Sequence, residues 1–67
     1  MQRYKVPDMT CSHCAQTIEK TIKALDAAAQ VSIDLETKEV GITTIAEPGM
    51  VAAALREAGY PNEPLAA

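Results

Sequence analysis

The chain has 67 residues, 48% of them hydrophobic and 22% charged, and a formal net charge of −3. That length predicts one domain, 1–67, with a small core and a thin margin of stability. The negative balance argues against a nucleic-acid surface, and no apolar run approaches the ~20 residues that span a bilayer, so neither nucleic acid nor membrane insertion is expected.

Residues 2–7 alternate, with Tyr4 and Val6 on one face and Arg3 and Lys5 on the other, which predicts a short half-buried strand ending at Pro7. Residues 8–12 read as a loop. From Ser12 to Leu25 the apolar positions Ala15, Ile18, Ile22 and Leu25 recur at helical spacing, with Gln16, Glu19, Lys20 and Lys23 outward. Ala29, Val31, Ile33 and Leu35 alternate with polar residues as a second strand, and Glu36-Thr37-Lys38-Glu39 forms a turn. Val40, Ile42 and Thr44 mark a third strand.

Pro48 suits the first turn of a second helix, whose apolar stripe is Val51, Ala54, Leu55 and Ala58. Gly59 ends that helix. The tail carries Pro61 and Pro64, so a strand there is an edge strand. The fold class expected is α+β, a ferredoxin-like β-α-β-β-α-β sandwich with two helices on one face of a four-stranded antiparallel sheet. With two tyrosines and no Phe or Trp, its core is expected to rest on Val, Ile, Leu, Met and Ala.

Met9-Thr10-Cys11-Ser12-His13-Cys14 holds both cysteines of the chain. Cys11 falls in the loop after the first strand and Cys14 in the first helical turn. There, free backbone N–H groups and the positive end of the helix dipole favour thiolate and lower its pKa. Two sulfurs three positions apart can converge on one soft ion or close as a disulfide. Thiolates suit Cu(I), which accepts few ligands, whereas zinc wants four. Dithiol-disulfide exchange is the competing chemistry, but the chain lacks the Trp that precedes a thioredoxin-type pair. Covalent haem attachment fails because residue 15 is Ala.

In this β-α-β-β-α-β setting the segment resembles the Met-x-Cys-x-x-Cys motif of heavy-metal-associated domains. These include CopZ-like bacterial copper chaperones, MerP-type mercury proteins and the N-terminal modules of metal-transporting P-type ATPases. The resemblance extends through Val31-Ser32-Ile33-Asp34-Leu35 to Leu55-Arg56-Glu57-Ala58-Gly59-Tyr60. It implies that Cys11 and Cys14 are the metal ligands, Met9 a buried support for the loop, and Tyr60 a neighbour of the metal, as in bacterial chaperones. It also implies a non-enzymatic Cu(I) metallochaperone whose partner is the metal-binding domain of a copper-transporting P-type ATPase. Zn(II) and Hg(II) are the alternative ions. Such a protein is monomeric when apo, and its exposed thiolates permit a metal-bridged dimer.

Four further residues carry metal-ligating atoms. His13 is a candidate third ligand, but a residue between the two cysteines tends to point away from where their sulfurs converge. Asp8 lies three positions before Cys11 where zinc-selective relatives have Asp directly before it, so it reads as a loop residue bonding its own backbone. Met9 and Met50 read as packing residues in preference to thioether ligands. The N-terminus, Met1-Gln2-Arg3-Tyr4-Lys5-Val6-Pro7, has no apolar segment of the signal-peptide kind, so a cytoplasmic location is expected. The initial Met and an ending without a linker suggest a free-standing protein over an excised ATPase module.

Overall fold

The alternation and helical spacing of the sequence become six elements in a computed structural model that describes residues 2–65. They are β1 (Gln2–Lys5), α1 (Ser12–Leu25), β2 (Gln30–Asp34), β3 (Glu39–Thr43), α2 (Pro48–Glu57) and β4 (Glu63–Leu65). The sheet order is β2-β3-β1-β4 and every pairing is antiparallel, the ferredoxin-like arrangement expected. β1 lies inside the sheet, where Tyr4 faces Val40 on one side and Pro64 on the other. Pro64 is accommodated because β4 is an edge.

Fully buried side chains from both helices and the inner strands form one core: Tyr4, Val6, Met9, Ile18, Ile22, Ala29, Val40, Ile42, Val51 and Leu55, with Ala52 close behind. Val31 and Ile33 of edge strand β2 stay half-buried opposite Ile42 and Val40. Tyr4 departs from the purely aliphatic core that composition suggests, since it is 1% exposed. Its hydroxyl lies 2.6 Å from Gln2 Oε1, to which it donates, and 3.2 Å from the Pro48 carbonyl. A polar tip with a partner makes that burial tolerable, and burial raises the phenol's pKa.

Several boundaries differ from the sequence reading. β1 stops at Lys5, because the Val6 N–H donates to the Lys38 carbonyl (2.7 Å) and the Val6 carbonyl accepts from Met9 N–H (3.1 Å). The chain turns there while Val6 and Met9 remain buried. Thr44 lies beyond β3, and its hydroxyl donates to Asp26 Oδ2 at 2.6 Å, joining the α1–β2 and β3–α2 connections. The buried stripe of α2 is Val51, Ala52 and Leu55, rotated away from Ala54 and Ala58, which are half-buried. Arg3–Glu39 is the one ion pair among the described residues, so Glu19 and Lys23 do not pair as their spacing allows.

Two positions carry left-handed backbone: Gly59 (φ 94°) and Lys38 (φ 62°). Gly59 follows α2, where its N–H donates to the Arg56 carbonyl (3.0 Å) and the Tyr60 N–H to the Leu55 carbonyl (2.9 Å). That pair of bonds is a Schellman ending, which places glycine at this residue. A Cβ at Gly59 meets nothing within 4 Å, so the cost of Gly59→Ala is backbone strain alone. Thermal or denaturant unfolding should show Gly59→Ala destabilised by about 1–2 kcal/mol. Lys38→Gly, by the reverse argument, should gain up to about 1 kcal/mol after the entropy cost of glycine. Equal effects of one sign would refute the strain assignment.

Candidate metal centre

The two sulfurs meet at the junction of the β1–α1 loop and α1. Cys11 occupies the N-cap with extended backbone (φ −152°, ψ 168°) and caps the helix with no side-chain hydrogen bond. Its carbonyl accepts from the Ala15 N–H at 3.2 Å, which starts the helical ladder. Cys14, three residues on, then returns toward Cys11 after almost one turn. The Sγ atoms are 3.5 Å apart and both thiols are free. Cys11 is exposed, while Cys14 is half-buried and packs against the core.

Met9 is fully buried beneath this loop, so its thioether is part of the core. Met50 stands in the first turn of α2 and is largely exposed. His13 is exposed on the outer side of α1. It lines an open groove of about 340 Å³ with Gln16, Thr17, Glu19, Lys20 and Lys23, and its carbonyl accepts from the Thr17 hydroxyl at 3.1 Å. Among the described residues no group of three His, Cys, Asp or Glu side chains converges, so the donor set brought together is two sulfurs. Asp8 is exposed, and the turn around it is closed by the Met9 N–H to Val6 carbonyl bond and not by its carboxylate.

Tyr60 arrives from the far end of the chain. It is half-buried against the core in the α2–β4 connection. Its hydroxyl is the largest influence on Cys14, followed by hydrogen bonding from the backbone of Thr10 and from Cys11. Together they bring the Cys14 thiol down from 9.0 to about 7 against an opposing effect of desolvation. The lowered thiol that the sequence attributes to the helix N-terminus is thus supplied mainly by a side chain 46 positions later. The Tyr60 phenol is raised in turn, first because its interaction with Cys14 favours the protonated hydroxyl, then by desolvation and by the charge of the thiolate. Thr17 acts on the Tyr60 phenol in the opposite sense, lowering its pKa. Sequence reasoning did not single out Thr17; its i+3 spacing from Cys14 was the available signal.

Two adjacent, partly exposed thiols, one of them with a lowered pKa, form a soft donor pair. Such a pair suits a monovalent or divalent soft ion of low coordination number.

The model of the family described as "Heavy-metal-associated domain" matches residues 3–61. The mercuric transport protein periplasmic component of Pseudomonas fluorescens is 35% identical over 60 residues, covering 85% of this chain and 66% of that protein. Copper-transporting ATPase 2 of Rhizobium meliloti (strain 1021) is 31% identical over 62 residues, 88% of this chain and 8% of the ATPase. The chain therefore spans just under two thirds of the mercuric protein and a small fraction of the ATPase. A crystal structure of a gold binding protein superposes with a TM-score of 0.94 at 40% identity, covering 97% of this chain and 100% of that one. The copper chaperone Atx1 from Synechocystis PCC6803 gives 0.89 at 34% identity, covering 91% and 97%. The metals in these names are mercury, copper and gold, all soft.

Because Tyr60 is the largest cause of the low Cys14 value, Tyr60→Phe should return that thiol toward its ordinary range. The thiolate fraction at pH 7 should fall, and with it the rate of iodoacetamide labelling at Cys14. A pH series of labelling on the reduced, metal-free protein reads this directly. An unchanged midpoint would remove Tyr60 from the site's chemistry.

Proposed function

This chain belongs to the heavy-metal-associated domain family, whose members bind metal and do not catalyse, and from that membership we propose that it is a Cu(I) chaperone. The observation that carries the reading is the sulfur-only donor pair, Cys11 Sγ to Cys14 Sγ at 3.5 Å with no third side-chain ligand converging among the described residues. Cu(I) is satisfied by two thiolates, whereas Zn(II) would need further ligands that this arrangement does not bring in. The likeness to the copper chaperone Atx1 and to a segment of a copper-transporting ATPase supports the same ion.

Cu(I) is cargo on this reading, held by Cys11 and Cys14 and surrendered by ligand exchange. Exposure of Cys11 leaves the pair open to an incoming thiolate. A partner cysteine adds, a three-coordinate shared state forms, and one of the original sulfurs leaves, so the ion is never released free. The partner proposed is the metal-binding domain of a copper-transporting P-type ATPase, and the compartment is the cytoplasm. The apo protein is monomeric, and a metal-bridged pair of chains is a side state that exposed thiolates permit. Hg(II) is the second reading, since two thiolates satisfy it equally and the mercuric transport relative is 35% identical.

Anaerobic titration of the reduced chain against competing chelators should give one tightly held Cu(I) per chain and much weaker Zn(II). Cys11→Ser and Cys14→Ser should each lose far more affinity than the ~10- to 100-fold that substitutions outside the ligand shell cost. Tight zinc with weak copper, or a serine variant that keeps tight copper, would overturn the proposal. A preference for Hg(II) over Cu(I) in direct competition would move it to the second reading.

A further inference from the structure

The two ends of the molecule are held shut by different physics. At the thiol end Val6 and Met9 are fully buried, and burial of apolar side chains does not depend on pH. At the other end no side chain from Thr43 to Met50 is buried, and none between Ile22 and Ala29. Ile45, within the β3–α2 connection, is 96% exposed. Hydrogen bonds supply there what burial does not.

Three of those bonds converge on one carboxylate. Asp26 Oδ1 accepts from the Ala28 N–H at 3.0 Å and closes the turn from α1 into β2. Asp26 Oδ2 accepts from the Thr44 hydroxyl at 2.6 Å and from the Ile45 N–H at 3.4 Å, across to the β3–α2 connection. Thr44 Oγ1 accepts in turn from the Ala46 N–H at 3.1 Å. These donors address an acceptor that is strongest as an anion. Of the groups that act on it, Thr44, Ala28 and Ile45 are neutral, and Lys23 on α1 carries the one charge, which also favours the anion. Two further ties of the β3–α2 connection are neutral: Gln2 Nε2 donates to the Ala46 carbonyl at 2.9 Å, and the Tyr4 hydroxyl contacts the Pro48 carbonyl.

We propose that Asp26 is an acid-sensitive latch, whose carboxylate joins the α1–β2 and β3–α2 connections and whose protonation loosens that end of the fold while the thiol end stays closed. The latch is independent of which ion Cys11 and Cys14 hold. A protonated carboxyl loses the charge that strengthens each bond and becomes a donor facing donors. The Thr44 hydroxyl, then the Ala28 N–H, hold the Asp26 carboxyl below the ordinary carboxylate range against desolvation. A group lowered in this way contributes stability that is fully present above its unfolded value and is lost as pH falls through its folded value.

An NMR pH titration of the reduced, metal-free chain reads the latch. The Ala28 and Ile45 amide shifts should move with the midpoint of the Asp26 carboxyl carbon, and that midpoint should lie below the ordinary carboxylate range. Below it, backbone order parameters at Ala28, Thr44 and Ile45 should drop from the rigid value of about 0.85 toward the flexible range under about 0.6, while Val6 and Met9 keep theirs. Amides that ignore the Asp26 midpoint would overturn the proposal. So would Val6 and Met9 loosening at the same midpoint, which would make the event global.

Thr44→Val supplies a second readout, the pH profile of unfolding by urea. Above the ordinary carboxylate range the variant should be less stable than wild type. The gap should shrink as pH falls through the Asp26 midpoint, leaving what the Ala46 N–H bond to Thr44 contributes. A gap of constant size would refute the latch. The wild-type titration decides the question even where the variant folds poorly.

Discussion

Two sulfurs must be held 3.5 Å apart at a surface where solvent offers them no support. The residue that would ordinarily fasten the start of α1 is itself one of the thiols, and Cys11 forms no capping bond. The junction is therefore secured from beneath. Val6 and Met9, on the inner side of the same loop, have no exposure at all, and the Met9 N–H closes onto the Val6 carbonyl. The Val6 N–H in turn reaches Lys38 in the β2–β3 turn. Burial of two apolar side chains and two main-chain bonds thus do the work of the missing cap, and they leave the sulfurs outward.

The register of the sheet decides what else reaches this spot. Lys5, at the end of β1, pairs with Glu39 at the start of β3 and with Glu63 at the start of β4. The β1–α1 loop, the β2–β3 turn and the α2–β4 connection consequently gather at one end of the molecule. The first carries the thiols, the second braces them through Lys38, and the third delivers Tyr60. At the opposite end Asp26 binds Thr44 across two connections, with its carboxyl held below the ordinary range mainly by that hydroxyl. The acidic cross-link there stabilises the fold without touching the thiols.

Much of this was legible in the chain. The period of 3.6 in Ser12–Leu25, the alternation in the strands and the position of Gly59 all follow from which faces must be buried, and they determined element order and the place of both cysteines. Strand ends were less legible: alternation continues through Val6 and Thr44, but hydrogen bonds to Lys38 and Asp26 end the ladders first. The cause of the low Cys14 value was illegible for a different reason. A helix N-terminus is a local feature and can be read from adjacent residues, whereas Tyr60, which only the family resemblance set near the metal, acts through folding of the chain back onto itself. His13 illustrates the converse, a chemically suggestive residue whose position on the first turn directs it to the outer groove.

The proposed role gives these features a common logic. An ion that must be passed on needs sulfurs ionised enough to bind it and few enough to let it go. A third convergent ligand would deepen retention and slow exchange, and none is gathered among the described residues. The phenol of Tyr60 lowers the Cys14 pKa without occupying a coordination position. The neighbouring phenol therefore provides acidity that a third ligand or a nearby cation would have provided at the expense of openness. Rigidity supplied by Met9 and Val6 below, with the Cys11 side left exposed, lets the same two sulfurs bind and release.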